Sequence, residues 1–482
     1  MYQFKTKPYK HQLDTFLATK DKEYWGFFLE MGGGKSKLTI DSFAYLYEED
    51  KINGCVLIVP KSLISTWVME QLPKHLPDRI SNQTDVLVWS TKKTMKYDRE
   101  KDLFLNENKN NLKIIIVNTE SFISKPTENF ILSFLKKMQS IVCIDESTYI
   151  KNPAAKRSKV IVNLCQYATY RRILTGSPSP QGATDLFMQC NALHKQALGI
   201  KTFTAFKTRY CITQEINVGT HRFQKITGYK NLEELNQKLS KFTTRITKDE
   251  CLDLPLKIYT TRDVEMTKEQ KKIYNEIALY SRSELYKDSN VTAKNIVTKL
   301  MRLQQITCGF SKGDKDEHFT AIEGGNPRLA ELKQILLATK DKVIIWANYR
   351  HNLTEIEKMV KENFGENSYI TYHGGTESQE RNTATYRFQN DDDIRFFISN
   401  PRVGGFGLTL TKSSTTVYYS NDYNLETRLQ SEDRNHRISQ DKNVLYIDLI
   451  CKGTVDEKII KALRSKKDVS DIINGDAWKQ WL

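Results

Sequence analysis

Seven consecutive residues, Glu30-Met31-Gly32-Gly33-Gly34-Lys35-Ser36, put three glycines, a lysine and a hydroxyl where an anion could sit. Glycines let backbone N–H groups turn inward on a phosphate, and a helix starting there adds partial positive charge. Lys35 would reach the β and γ phosphates and the Ser36 hydroxyl would ligate magnesium. The apolar run Trp25–Leu29 before the loop reads as a buried strand. After it, Ile40, Phe43, Ala44 and Tyr47 recur at the spacing of one helix face. A strict P-loop has glycine six residues before its lysine, where this chain has Leu29. The strand–loop–helix context favours a nucleotide cradle over a flexible turn beside a chance lysine.

Two further groups fit a phosphoryl-transfer site. Asp145-Glu146 follows the apolar run Ile141–Ile144, so both carboxylates fall at a strand end. Asp145 there can hold magnesium, through water, and Glu146 can orient and deprotonate an attacking water. Far downstream, Gln430, Arg434 and Arg437 lie at i, i+4 and i+7, on one face if the segment is helical. Two guanidiniums on one face repel unless an anion lies between them, and planar forks suit a triphosphate. Gln12 carries an amide able to read an adenine edge with one donor and one acceptor. Gly405 and Gly407 form a second glycine turn, which by itself is as consistent with close packing as with ligand binding.

The elements that must position these residues alternate in type. Apolar β-branched runs at Cys55–Val59, Ile114–Val117, Ile141–Ile144 and Ile173–Leu174 are separated by helical patterns. This predicts an α/β fold with a parallel sheet covered on both faces, in which ligands bind at the carboxyl ends of strands. Similar runs recur at Val343–Trp346, Tyr369–Tyr372, Arg395–Ser399, Thr416–Tyr419 and Val444–Ile447. A second α/β lobe without a glycine–lysine loop should complete a site rather than carry one. The expected division is residues 1–250 for lobe one, with a mostly helical insertion at about 182–245. Residues 251–482 form lobe two, with a helical protrusion at about 267–325.

The 482 residues suffice for two or three domains, and 39% hydrophobic content suits a folded chain rather than a disordered one. No apolar run approaches the roughly 20 residues of a membrane helix. The N-terminal residues lack a signal-peptide core, so the expected location is the cytoplasm of a bacterial or virus-infected cell. Eight scattered cysteines give neither zinc spacing nor a disulfide framework. The net charge of +15 makes a polyanion the natural partner.

The order of these motifs resembles the Swi/Snf-type ATPases of helicase superfamily two, from about residue 8 to about residue 460. Glu30–Ser36 is similar to that family's EMGxGK[ST] loop, which itself lacks the leading glycine. Ile144-Asp145-Glu146 with Ile150-Lys151-Asn152 resembles IDEAH-x-IKN, and Leu174–Pro178 resembles LTGTP. Gln430–Gln440 resembles Q-x-x-D-R-x-H-R-I-x-Q. The chain departs at Ser147-Thr148, where the family has Ala-His, a histidine that relays the γ-phosphate state.

The resemblance implies two RecA-like parallel-sheet lobes with helical insertions, and ATP with Mg2+ as the bound species. Gln12, Met31, Gly32, Gly33, Gly34, Lys35 and Ser36 would contact the nucleotide from lobe one. Gly405, Gly407, Gln430, Arg434 and Arg437 would contact it from lobe two. Ser36 and Asp145 would hold the metal, while Lys35, Asp145, Glu146, Arg434 and Arg437 would act in hydrolysis. The implied activity is translocation on double-stranded or branched DNA in recombination, repair or fork remodelling, with other proteins of those processes as candidate partners. The oligomeric state is open. A strand-separating DNA or RNA helicase and an ATP-gated nucleic-acid clamp are the alternatives.

Overall fold

The structure is a computed structural model. It describes residues 2–91, 94–106, 110–218, 221–247, 254–287, 293–311, 319–376, 378–404, 408–437 and 439–474. The chain divides into two compact units. One comprises residues 1–212, 227–253 and 468–482, the other 213–226 and 254–467.

The first unit is built on a seven-stranded parallel sheet. Its strands are β1 (Tyr24–Leu29), β2 (Gly54–Val59), β3 (Thr84–Val88), β4 (Leu112–Asn118), β5 (Ser140–Asp145), β6 (Tyr170–Leu174) and β9 (Thr243–Ile246). Their order across the sheet is β3-β4-β2-β5-β6-β1-β9. The apolar runs pack on both faces because strand side chains alternate. Val56, Ile58, Ile115, Val117, Val142 and Ile144 enter one core. Cys55, Leu57, Val59, Ile114, Ile116, Ile141 and Cys143 enter the other. Helices α1 (Lys10–Thr19) and α2 (Lys35–Glu48) belong to the second of these faces, through Phe16, Leu38, Ile40 and Phe43.

A buried cation fixes α1 to this sheet. The Arg172 guanidinium on β6 donates to the carbonyls of Thr19 (3.1 Å), Lys22 (2.9 Å) and Glu23 (3.3 Å). It thereby satisfies acceptors that the end of α1 leaves open. Burial lowers the pKa of Arg172 to about 10. Gln12 rides on the helix so anchored.

The second unit carries a six-stranded parallel sheet. Its strands are β10 (Lys257–Asp263), β13 (Val343–Trp346), β14 (Tyr369–Tyr372), β15 (Phe396–Ser399), β16 (Thr415–Tyr418) and β17 (Val444–Ile450), in the order β10-β17-β16-β13-β15-β14. Alternation again supplies two cores: Val343, Ile345 and Ile398 face one, Ile344, Trp346 and Phe397 the other. Arg328 is buried in this unit. It donates to the carbonyls of Thr307 (3.1 Å), Tyr419 (2.7 Å) and Leu449 (3.2 Å) and pairs with Asp456.

The expectation of a mostly helical segment at 182–245 needs correction. Helices Leu186–Leu193, Phe203–Tyr210 and Leu232–Leu239 are present, but a two-stranded sheet, β7 (Cys211–Val218) with β8 (His221–Tyr229), lies among them. Strand β9, also inside that range, joins the main sheet beside β1. In the second unit, the protrusion region contains helices Lys268–Lys287 and Ala293–Thr307, followed by the short pair β11 (Phe310–Ser311) and β12 (Thr320–Ala321).

Candidate active site

Strands β5, β6 and β1 are neighbours, and their parallel register puts three chain ends side by side. Asp145 pairs with Leu174, and Leu174 pairs with Phe27. The turns after Leu29, Asp145 and Leu174 therefore emerge at one edge of the sheet, the carboxyl edge where open α/β sheets bind ligands. A Cβ placed on Gly176 would stand 3.4 Å from Met31 N and 3.5 Å from Lys35 Nζ, so the turn after β6 lies against the glycine loop.

The loop has the shape its glycines suggest. Gly32 and Gly34 have φ of 88° and 85°, in the left-handed region that other residues avoid. Gly34 is also crowded: a Cβ there would lie 2.1 Å from Gln12 Nε2. Any side chain at 34 would displace either the loop or Gln12. Helix α2 begins at Lys35, so the loop presents the unpaired N–H groups of a fourteen-residue helix, and Ser36 sits in its first turn. The Lys35 ammonium is held by neutral acceptors, the carbonyls of Leu29 (2.9 Å) and Glu30 (3.4 Å). Its charge also acts on Asp145. A lysine steadied by carbonyls, beside a helix N-terminus, fits a triphosphate.

Gln12 braces this loop. Its Oε1 accepts from Tyr9 N–H at 3.0 Å and its Nε2 donates to Gly33 O at 3.3 Å. His11 Nε2 lies 3.0 Å from the same carbonyl. Arg245 on β9 ties the loop to the neighbouring turn, donating to Phe28 O (3.1 Å) and Gly176 O (3.0 Å) and pairing with Glu30 at 3.1 Å.

The carboxylates are buried, each 7% exposed. Burial raises the pKa of Asp145, while the Trp67 indole N–H, 2.9 Å from Oδ2, and the Lys35 charge pull it back. Glu146 has φ 49° and ψ 60°, a left-handed conformation. A non-glycine residue adopts it at a cost of about 1–2 kcal/mol, and such strain concentrates at functional sites. Thr175 Oγ1 lies 3.5 Å from Glu146 Oε2. One edge of the first sheet thus brings together Gln12, Met31, Gly32, Gly33, Gly34, Lys35, Ser36, Asp145 and Glu146.

In the second unit, helix Leu425–Glu432 stops before the two arginines, correcting the expectation of a single helix face. Side chains end it by bonding backbone elsewhere. Asn435 Nδ2 donates to Ser413 O (3.2 Å) and Thr416 Oγ1 (3.0 Å), and Gln440 Nε2 donates to three carbonyls, those of Thr411, Ser413 and Asn435. The arginines still converge. Arg434 and Arg437 each donate to Leu408 O at 3.2 Å, and Arg437 also to Thr409 Oγ1 at 3.0 Å. Gln430 precedes them, its carbonyl accepting from Arg434 Nε at 2.8 Å. Burial lowers the pKa of Arg437, opposed by Asp433. Gly405 and Gly407 lie outside the described residues.

The helix carrying Gln430 is clamped by charge. Arg428 pairs with Asp448 and with Glu432 (2.7 Å) and lies 3.5 Å from the centre of the Tyr418 ring. Although burial raises the pKa of Glu432, Lys257 and Arg428 bring it down to about 2.

Residues 13–311 match the SNF2-related domain, and residues 327–439 match the helicase conserved C-terminal domain. The chain belongs to the SNF2-related family. The first domain contains the glycine loop and Asp145-Glu146; the second contains both arginines. Relatives in this family include the DNA annealing helicase and endonuclease ZRANB3 of Bos taurus, 28% identical over 92% of this chain and 38% of the relative. The putative ATP-dependent helicase/translocase YwqA of Bacillus subtilis is 27% identical over 70% of this chain and 36% of the relative. This chain therefore spans well under half the length of these curated relatives. A solved SWI2/SNF2 ATPase core of Sulfolobus solfataricus in complex with dsDNA is 24% identical and covers 99% of this chain and 95% of its own, with a TM-score of 0.43. Among the described residues no helix is long and apolar enough to cross a membrane.

Sequence reasoning passed over two residues of this SNF2-related site. Trp67 opens the helical segment Trp67–Gln71 that follows β2, and an indole directly after Ser65 and Thr66 is the available signal. Arg245 is a lone cation in a strand and gives none.

Proposed function

We propose that this chain is a DNA-stimulated ATP hydrolase, a motor that moves along double-stranded or branched DNA without separating its strands. The observation carrying the reading is the grouping of Lys35, Asp145 and the strained Glu146 around a glycine loop at one sheet edge. The loop N–H groups and Lys35 would bind the phosphates, and the Gln12 amide would recognise the base. Ser36 and Asp145 would hold magnesium, which when bound neutralises phosphate charge. Glu146 orients the attacking water and takes its proton. Arg434 and Arg437 would meet the phosphates from the second domain during turnover, together with Gln430, Gly405 and Gly407, so that hydrolysis depends on domain closure. Two relatives named as helicases or translocases, and the +15 charge, support a nucleic-acid track. Work in recombination, repair or fork remodelling, in the compartment where the chain is made, follows from the same reading.

ATPase activity is expected to rise with duplex or branched DNA of arbitrary sequence. The rise should fade as salt increases, because phosphate contacts release counterions and carry no sequence information. Stimulation by RNA in preference to DNA would overturn the choice of track.

The Asp145 environment gives a pH prediction. Trp67→Phe removes an N–H that stabilises the charged carboxylate, so the Asp145 pKa should rise further. More of the carboxyl is then protonated at a given acidic pH, and the acid limb of the ATPase profile should move upward. A profile superimposable on that of the parent would remove Trp67 from this role.

A further inference from the structure

The turns bearing Glu146 and Thr175 are joined a second time, through a side chain outside every motif quoted above. Gln189, on helix Leu186–Leu193, is fully buried, as is Ser147. Its Nε2 donates to Pro178 O at 2.7 Å and to Asp185 O at 2.8 Å. Both partners are carbonyls and can only accept, so the nitrogen must face them. The Oε1 is thereby turned to Ser147, whose Oγ donates to it at 2.6 Å. One amide links the residue after Glu146 to the last residue of the Thr175–Pro178 turn.

The link stands where it can matter. Ser147 directly follows Glu146, whose left-handed backbone must be held by its surroundings. Between the same two turns Thr175 Oγ1 approaches Glu146 Oε2, a long contact at 3.5 Å. Position 147 is also where the chain departs from the family pattern, with serine in place of alanine. The hydroxyl that makes the link possible comes with that departure.

We propose that Gln189 is a positioning residue for hydrolysis. Through Ser147 and Pro178 it clamps the Glu146 turn to the Thr175–Pro178 turn, holding the Glu146 carboxylate in place. The proposal rests on Glu146 acting as the base.

The test compares Ser147→Ala, Gln189→Leu, the double variant and Glu146→Gln in DNA-stimulated ATPase, with ATP affinity and thermal unfolding measured on each. Each of the first two should lose turnover by about 10- to 100-fold, the scale of a misplaced catalytic group. ATP affinity should stay within about twofold, since the phosphate cradle is untouched. The double variant should lose no more turnover than the worse single one, because both cut the same link. It should melt no lower than Gln189→Leu, since Ser147 no longer buries a hydroxyl without its acceptor. Turnover near the parent level in both single variants, with Glu146→Gln inactive, would overturn the positioning role alone. Recovery of turnover together with stability in the double variant would also overturn it, reducing the pair to packing. Full activity in Glu146→Gln would overturn the reading beneath it as well. Should Gln189→Leu not fold, Ser147→Ala, which deletes one oxygen, decides the matter.

Discussion

Glu146→Gln is expected to bind ATP with the affinity of the parent and to hydrolyse it about 10²- to 10⁴-fold more slowly, the range a positioned general base supplies. The substitution keeps the shape of the side chain, and Thr175 Oγ1 can still meet an oxygen of the amide. What is lost is the capacity to accept a proton from water. Lys35→Ala should behave differently. It removes a cation from the phosphate cradle, so nucleotide affinity and turnover should fall together. The contrast separates chemistry from binding. Steady-state ATPase with equilibrium binding of a fluorescent ATP analogue reads both, and near-parent turnover in Glu146→Gln would remove it from its role.

Arg437→Ala is expected to bind ATP and, in saturating duplex DNA, to turn it over about 10³-fold more slowly, the lower end of what an arginine finger contributes. Arg434 and Arg437 belong to the unit without the glycine loop, and there both guanidiniums rest on the Leu408 carbonyl. Neither should contribute much to ground-state affinity. Arg434→Ala carries a greater structural risk, because the Arg434 side chain is buried and donates to Gln430 O as well as to Leu408 O. Arg437 is therefore the cleaner probe. Intact turnover in Arg437→Ala, or loss of folding, would make this cluster structural.

Much of the site was legible because its chemistry is local. Glycines ahead of a lysine, and acidic residues closing an apolar strand, name both the element and its end, and parallel register does the rest. The path of the chain beyond Glu432 was not legible. Asp433–Arg437 contains neither glycine nor proline, and helical periodicity runs through it. The helix ends because Asn435 and Gln440 bond carbonyls on other segments, and because His436 Nε2 sits 2.7 Å from Pro255 O. Those partners are distant in sequence. The β7–β8 pair escaped for another reason. Residues 212–215 and 224, 225 and 227 are exposed, so the strands lack the apolar alternation that marks a half-buried sheet. Gln189 was invisible too, since a glutamine within an apolar helix signals nothing until its partners at 147 and 178 are placed.

The most direct test of the motor reading is triplex displacement. A duplex carrying a third strand annealed in its major groove is incubated with the protein and ATP, beside a forked duplex with single-stranded tails. A motor moving on duplex DNA should release the third strand only when ATP is hydrolysed, with Glu146→Gln inactive, and should leave the fork paired. An unwound fork beside an intact triplex would contradict the account and establish a strand-separating helicase in its place.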